Sequence, residues 1–167
     1  FCLSRGLGDV YKRQGWFWLG GRTANVLGME GWEVYQPFAI ATLAAAAAML
    51  TPVWRRLTGS LPTALAIATV TTAVVLTEVP EEPYAAVVAM FVPAAAVMSY
   101  RAVNGSWAST IALAIYLGIS ASFYTLFTAI AALTMVVLAV IHTFTKHSVQ
   151  PLVHLLVTGL GLSLIHI

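Results

Sequence analysis

The sequence predicts an all-α fold, a polytopic transmembrane helical bundle, and three observations carry that prediction. The 167 residues are 60% hydrophobic and only 8% charged, where an average soluble domain carries roughly 25% charged residues. Mean hydropathy is +0.88. The charges stand at the edges of apolar segments, and along most of the chain those edges alternate in sign. Glu30 and Glu33 precede residues 38–53, and Arg55 and Arg56 close them. Glu78, Glu81 and Glu82 end the next segment, Arg101 the one after, and Lys146 a last, longer run. A chain that crosses a bilayer back and forth gives this alternation, because bases gather on the cytoplasmic side.

The two ends stand apart. Asp9-Val10-Tyr11-Lys12-Arg13-Gln14 can be encoded by GATGTGTATAAGAGACAG, whose reverse complement encodes residues 162–167, Leu-Ser-Leu-Ile-His-Ile. An inverted repeat at the DNA level, one copy at each end, resembles a sequencing-adapter end read through as protein, and residues 4–8 fit the flanking primer. Residues 1–14 and 162–167 are therefore expected to be adapter-like, with 15–161 the natural segment of a protein that continued in both directions. Setting the ends aside removes Arg5, Lys12 and Arg13 from the eight bases and Asp9 from the six acids. Five of each remain, with no net charge, so the sequence pI of 8.9 implies nothing about partners. No nucleic-acid partner is expected. The single cysteine, Cys2, falls in the set-aside end and supports no disulfide or thiol argument.

Residues 15–37 interleave Trp16, Phe17, Trp18, Trp32 and Tyr35 with glycines, Arg22 and two glutamates. Tryptophan and tyrosine favour headgroup level, where an apolar ring and a polar N–H or O–H are both satisfied. This reads as an outer-face juxtamembrane segment that lies on the bilayer and then enters it. Residues 38–54, built on the alanine run 44–48, form the first span; 17 residues reach about 26 Å. Gly59-Ser60-Leu61-Pro62 is a turn, with Pro62 suited to a first helical position. Span two covers 62–76, and its Thr69, Thr71 and Thr72 can bond their own preceding carbonyls. Glu78, Pro80, Glu81, Glu82 and Pro83 make an acidic turn before span three, 84–100, which Pro93 bends. Arg101 and Asn104-Gly105-Ser106 close that span.

Residues 107–145 hold no Asp, Glu, Lys or Arg over 39 positions, roughly 58 Å of helix against a core of about 30 Å. They must be two spans, 107–123 and 127–144, with the turn near Tyr124-Thr125. Residues 152–161 begin a further one, giving about five complete spans and part of a sixth. Followed through, Arg55, Arg56, Arg101 and Lys146 fall on one side, cytoplasmic by the positive-inside bias. Glu30, Glu33, Glu78, Glu81 and Glu82 fall on the other, the outer side. Arg22 is the one base among the acids.

There is no nucleotide-binding loop, nucleophile elbow or metal-ligand spacing, and no residue set marks a cofactor, a divalent cation included. His142, His147 and His154 read as interfacial histidines. Glu82-Pro83-Tyr84 has two readings. An acid before a proline at a first helical turn meets the positive end of the helix dipole, worth about 0.3–1 kcal/mol. Alternatively, Glu82 is an outer-face acid beside a Tyr84 ring that could stack on a sugar. Gly15-Trp16-Phe17-Trp18-Leu19-Gly20-Gly21-Arg22 is either an interfacial anchor or a site that sets the Arg22 guanidinium fork against a lipid phosphate.

At these residues the chain resembles the galactan arabinofuranosyltransferases of mycobacteria and their relatives, membrane glycosyltransferases of the GT-C type. The resemblance rests on Gly15-Trp16-Phe17-Trp18 with Gly20-Gly21-Arg22, then Trp32-Glu33 and Pro37, then Glu82-Pro83-Tyr84-Ala85-Ala86, then Tyr124-Thr125-Leu126, in order and at matching separations. It covers nearly all of 15 to about 140. It implies transfer of arabinofuranose from a polyprenyl-phosphate donor to a galactan hydroxyl at the outer face of the plasma membrane. It also implies a catalytic aspartate in an outer loop upstream of the Gly-Trp-Phe-Trp stretch, so this segment should be inactive alone and holds no catalytic residue. Trp16, Trp18, Arg22, Glu82 and Tyr84 are the substrate-binding candidates: Arg22 against donor phosphate, Glu82 and Tyr84 lining the acceptor or sugar pocket. Two rivals remain. One is another polyprenyl-phosphate-dependent GT-C transferase; the other is a polytopic permease, which the lack of ionisable groups within the spans disfavours.

Overall fold

The computed structural model describes residues 14–79 and 81–166. Residues 1–13, with Cys2 and most of the adapter-like N-terminal stretch, lie outside the described residues, as do Pro80 of the acidic turn and Ile167. Seven helices and no strand occur among the described residues: α1 (Gln14–Leu27), α2 (Gly31–Thr58), α3 (Leu61–Glu78), α4 (Pro83–Val103), α5 (Trp107–Phe123), α6 (Thr125–Lys146) and α7 (Gln150–His166). Four of them, α2, α3, α4 and α6, are long and apolar enough to cross a membrane. The shorter apolar helices are α5 and Gln150–Ser163 of α7. The chain divides into two compact units. One holds the chain up to Met90 together with Ser122–Tyr124; the other holds Phe91–Ala121 and the chain from Thr125 onward.

In the first unit, residues 15–37 are helical on both sides of a turn. They form α1, a turn, and the first residues of α2, which then continues without a break past Pro37 and Pro52 to Thr58. The turn has a local cause. Gly28 takes φ +66°, the left-handed region that costs glycine little. Its neighbour Met29 donates its N–H to the Ala24 carbonyl at 3.1 Å, and Gly28 to Asn25. That pair of bonds closes a helix end and reverses the chain. On the far side Glu33 Oε2 accepts the Glu30 N–H at 3.0 Å, which satisfies an orphan donor where α2 begins. α2 and α3 are joined through Gly59, which donates to the Arg55 carbonyl, and Ser60, whose hydroxyl accepts from Thr63 N–H. Ala46, Leu50 and Trp54 repeat every fourth residue on the buried face of α2, and the small Ala64 and Ala68 on that of α3 leave room for them. Trp54 buries its indole N–H with no acceptor among the described residues, a cost of about 1–3 kcal/mol carried for its packing.

The second unit is built around Ala95, Ala102, Leu113, Leu117, Ala131 and Met135, with Met98, Tyr116, Leu155 and Leu162 at its edge. Helices α5 and α7 approach closely where Gly161 faces Ala114; a Cβ at 161 would stand 2.9 Å from the alanine methyl. Buried hydroxyls tie helices together or bond back to their own. Thr128 donates to Ser120 Oγ at 2.9 Å, and Ser99 to the Ala95 carbonyl at 2.8 Å. His154 is packed inside the second unit. It is 1% exposed, with Nδ1 2.7 Å from Thr110 Oγ1 and its ring 4.4 Å from that of Trp107. A lone histidine in an apolar run gives no sign of such a partner, because the threonine comes from another helix.

Helix α6 ends on His147, whose φ of 48° lies in the left-handed region. A side chain there costs about 1–2 kcal/mol. Replacing His147 with glycine should therefore raise the thermal unfolding temperature in detergent, by the equivalent of about 0.5–1 kcal/mol after allowing for glycine's greater unfolded-state freedom. An unchanged or lower midpoint would show that the imidazole makes up for the strain.

Candidate functional site

The candidate site is built on the α1–α2 hairpin of the first unit. Its floor is an aromatic cluster. Trp16, 1% exposed, packs edge-on against Phe38 of α2 at 4.9 Å between ring centroids, Tyr84 of α4 at 6.5 Å and Phe123 of α5 at 5.9 Å. Tyr84 meets Phe17 at 6.4 Å and Tyr124 at 6.0 Å. Gly15 lets α1 come this close, since a Cβ there would stand 2.9 Å from the Ser122 carbonyl oxygen. The motifs Gly15-Trp16-Phe17-Trp18, Glu82-Pro83-Tyr84 and Tyr124-Thr125, far apart in sequence, thus converge on one cluster.

Two concavities are lined by residues of the hairpin. One, about 860 Å³, is apolar and lined by Trp16, Phe17, Gly20, Gly21, Gly31, Trp32, Tyr35 and Phe38. The other, about 470 Å³, is polar; Trp18, Arg22, Asn25 and Glu30 line it. Phe17, Gly21 and Gly31 belong to both walls. Trp18 and Arg22 lie one turn apart on α1, and the guanidinium carbon stands 5.3 Å from the indole centroid. That cation–π contact holds the charge at the mouth of the concavity and is worth about 0.5–1 kcal/mol at an exposed site. The geometry suits an amphipathic ligand with an anionic head and an apolar tail, since guanidinium N–H groups match phosphate oxygens in pairs.

The five sequence-predicted candidates fall in different places. Trp18 and Arg22 are exposed on the polar concavity. Trp16 lines the apolar one from below. Tyr84 is 3% exposed, held among Trp16, Phe17 and Tyr124, so a sugar could stack on its face only by displacing one of those rings. Glu82 is partly buried at the start of α4, its carbonyl accepting the N–H groups of Ala85 and Ala86 at 2.9 Å. Neither Glu82 nor Tyr84 is among the side chains lining the two concavities. Sequence reasoning missed Asn25 and Glu30. The signal was present: Trp18, Arg22, Asn25 and Met29 are spaced four, three and four apart, which sets the first three on one helical face. Among the described residues no three His, Cys, Asp or Glu side chains group as a metal site.

A family model described as arabinofuranosyltransferase N terminal matches residues 6–167. The chain is similar to the galactan 5-O-arabinofuranosyltransferase of Corynebacterium glutamicum, 52% identical over 148 residues, 88% of this chain and 22% of that protein. It is 34% identical over 155 residues to the enzyme of the same name from Mycobacterium tuberculosis, 87% of this chain and 24% of that one. With the Mycolicibacterium smegmatis counterpart it shares 33% over 148 residues, 86% and 24% of the two. The chain spans less than a quarter of the length of these curated relatives.

Proposed function

The chain belongs to the arabinofuranosyltransferase N-terminal family, and from that premise we propose that the intact protein is a multi-pass plasma-membrane glycosyltransferase. It transfers arabinofuranose from a polyprenyl-phosphate donor to cell-wall galactan during arabinogalactan synthesis. In this reading the acid-rich turns face outward, Arg55, Arg56, Arg101 and Lys146 face the cytoplasm, and the catalytic aspartate is supplied by sequence outside this segment.

The observation that carries the reading is the junction of an apolar and a polar concavity at Phe17, Gly21 and Gly31. Depth supports it. The 28 residues of α2 extend about 42 Å against a hydrocarbon core of about 30 Å, so counting back about 20 residues from Arg55 reaches Tyr35 at the outer edge of the core. Phe38 then lies inside the hydrocarbon, Trp32 in the interface, and Arg22 and Glu30 beside the headgroups. A prenyl chain can enter the apolar cavity from the lipid while its phosphate meets Arg22, with Trp18 packed beneath the guanidinium. Trp16 and Tyr84 support that arrangement from the packed side. Glu82, at the start of α4, is assigned to the acceptor side.

The test is reconstitution of the full-length protein with a polyprenyl-phosphate arabinofuranose donor and a galactan acceptor. Arabinofuranosylated galactan is the expected product. Transfer of a different sugar would move the protein to another GT-C specificity, and uptake of labelled substrate into vesicles without transfer would make it a permease.

A further inference from the structure

Asn25 and Glu30 lie outside the aromatic packing. Both are exposed, yet both line the polar concavity with Trp18 and Arg22. Their placement is built, not incidental. Asn25 follows Arg22 by one helical turn on α1. The Gly28 turn, closed by the Met29 N–H to Ala24 carbonyl bond of 3.1 Å, then brings Glu30 back to the same mouth at the start of α2. Glu33 accepts the Glu30 backbone N–H, and the Glu30 side chain faces the Glu33 backbone N–H in return, a capping box that fixes the reversal and holds Glu30 in the wall of the concavity.

We infer that Asn25 and Glu30 are the sugar-selecting residues of this site: they take the hydroxyls of a phosphate-linked monosaccharide while Arg22 takes its phosphate and Trp18 covers an apolar face of the ring. The inference rests on the donor-site reading above. The chemistry of the four side chains divides this way for physical reasons. A carboxylate only accepts hydrogen bonds, with about four acceptor sites over its two oxygens. It would repel a phosphate, but it suits the O–H donors of a sugar. An amide both donates and accepts, which matches a hydroxyl in either role. A guanidinium only donates, which suits the phosphate. With one base and one acid the concavity is formally neutral, so it favours a singly charged head with hydroxyls over a multiply charged one. Its volume of about 470 Å³ lies within the roughly 300–1,000 Å³ of small-ligand sites.

The experiment compares two probes on the full-length protein in lipid nanodiscs: a polyprenyl phosphate bearing a furanose, and the same lipid phosphate without the sugar. Asn25→Ala and Glu30→Gln should each weaken binding of the sugar-bearing lipid by about tenfold, the loss of one hydrogen bond to a charged or amide group. Binding of the bare lipid phosphate should not weaken by more than about twofold in either variant, and should tighten in Glu30→Gln, which removes a like charge. Wild-type affinity of both variants for the sugar-bearing lipid overturns the assignment and leaves the donor-site reading standing. An equal loss for both probes also overturns it, since the residues would then act on phosphate or fold. Failure of the unmutated protein to bind either lipid removes the donor-site reading, and this inference with it.

Discussion

Trp16→Ala is expected to cost the first unit about 3–5 kcal/mol, the range for truncating a buried aromatic side chain to alanine. The ring is 1% exposed and touches Phe38, Tyr84 and Phe123, which come from three different helices. Each edge-to-face contact adds about 0.5–1.5 kcal/mol beyond area burial. In the proposed orientation the cluster would lie near the edge of the hydrocarbon, where much of this energy is lost packing rather than renewed contact with water. It is the largest buried side chain described on α1, so its loss should loosen the helix and move Trp18 and Arg22 relative to the α2 wall. Thermal unfolding in detergent should show a midpoint lowered by many degrees, and donor-lipid binding should be lost with it. Trp16→Phe keeps an edge for Phe38 and most of the volume, and should recover most of both. An alanine variant that melts and binds like the unmutated protein would mean that Trp16 is an interfacial ring after all, as its sequence context suggests.

That context explains how far the fold was legible. Helix limits could be read where chemistry marks them: Arg55 and Arg56 near the end of α2, Ser60 before α3, Pro83 at the start of α4, and Tyr124 between α5 and α6. Spans set by hydropathy need no knowledge of partners, and the all-α class follows from them. The α1–α2 hairpin was not legible. An amphipathic run rich in tryptophan satisfies a bilayer surface as well as a helix pair, and what decides is the meeting of Trp16 with Tyr84 and Phe123, far along the chain. His147 was missed because histidine gives no warning of a left-handed residue where glycine would. The burial of His154 has no sequence signal because its partner Thr110 lies on another helix.

The site divides in the same way. Trp18 and Arg22 could be found from their type, one turn apart among outer-face acids. Trp16 and Tyr84 came from resemblance, and their burial gives them a supporting place rather than an open one. Asn25 and Glu30 were hidden because an asparagine in a helix and an acid before one have ordinary explanations as surface and cap. The turn at Gly28, which brings both to one concavity, is visible only in the fold.

Arg22→Ala should weaken binding of the donor lipid by about 30- to 150-fold, the equivalent of about 2–3 kcal/mol for a bidentate, charge-assisted contact. Folding should be unaffected, because the side chain is exposed, with its guanidinium over Trp18. Arg22→Lys keeps the charge but loses the planar fork and its stacking, so it should fall between, about tenfold down. Gly21 supplies an independent check. It lines both concavities, and a Cβ built there meets nothing within 4 Å. Gly21→Leu should therefore fold at least as well, gaining up to about 0.8 kcal/mol of helix propensity, while its side chain fills the junction where phosphate and prenyl chain must meet. A loss of donor binding in both Gly21→Leu and Arg22→Ala, with unfolding midpoints held or raised, can come only from the junction itself, since one variant removes charge and the other adds bulk. Donor affinity unchanged in Gly21→Leu would place the lipid elsewhere, whatever Arg22→Ala did, because no prenyl phosphate could span the two concavities past that side chain.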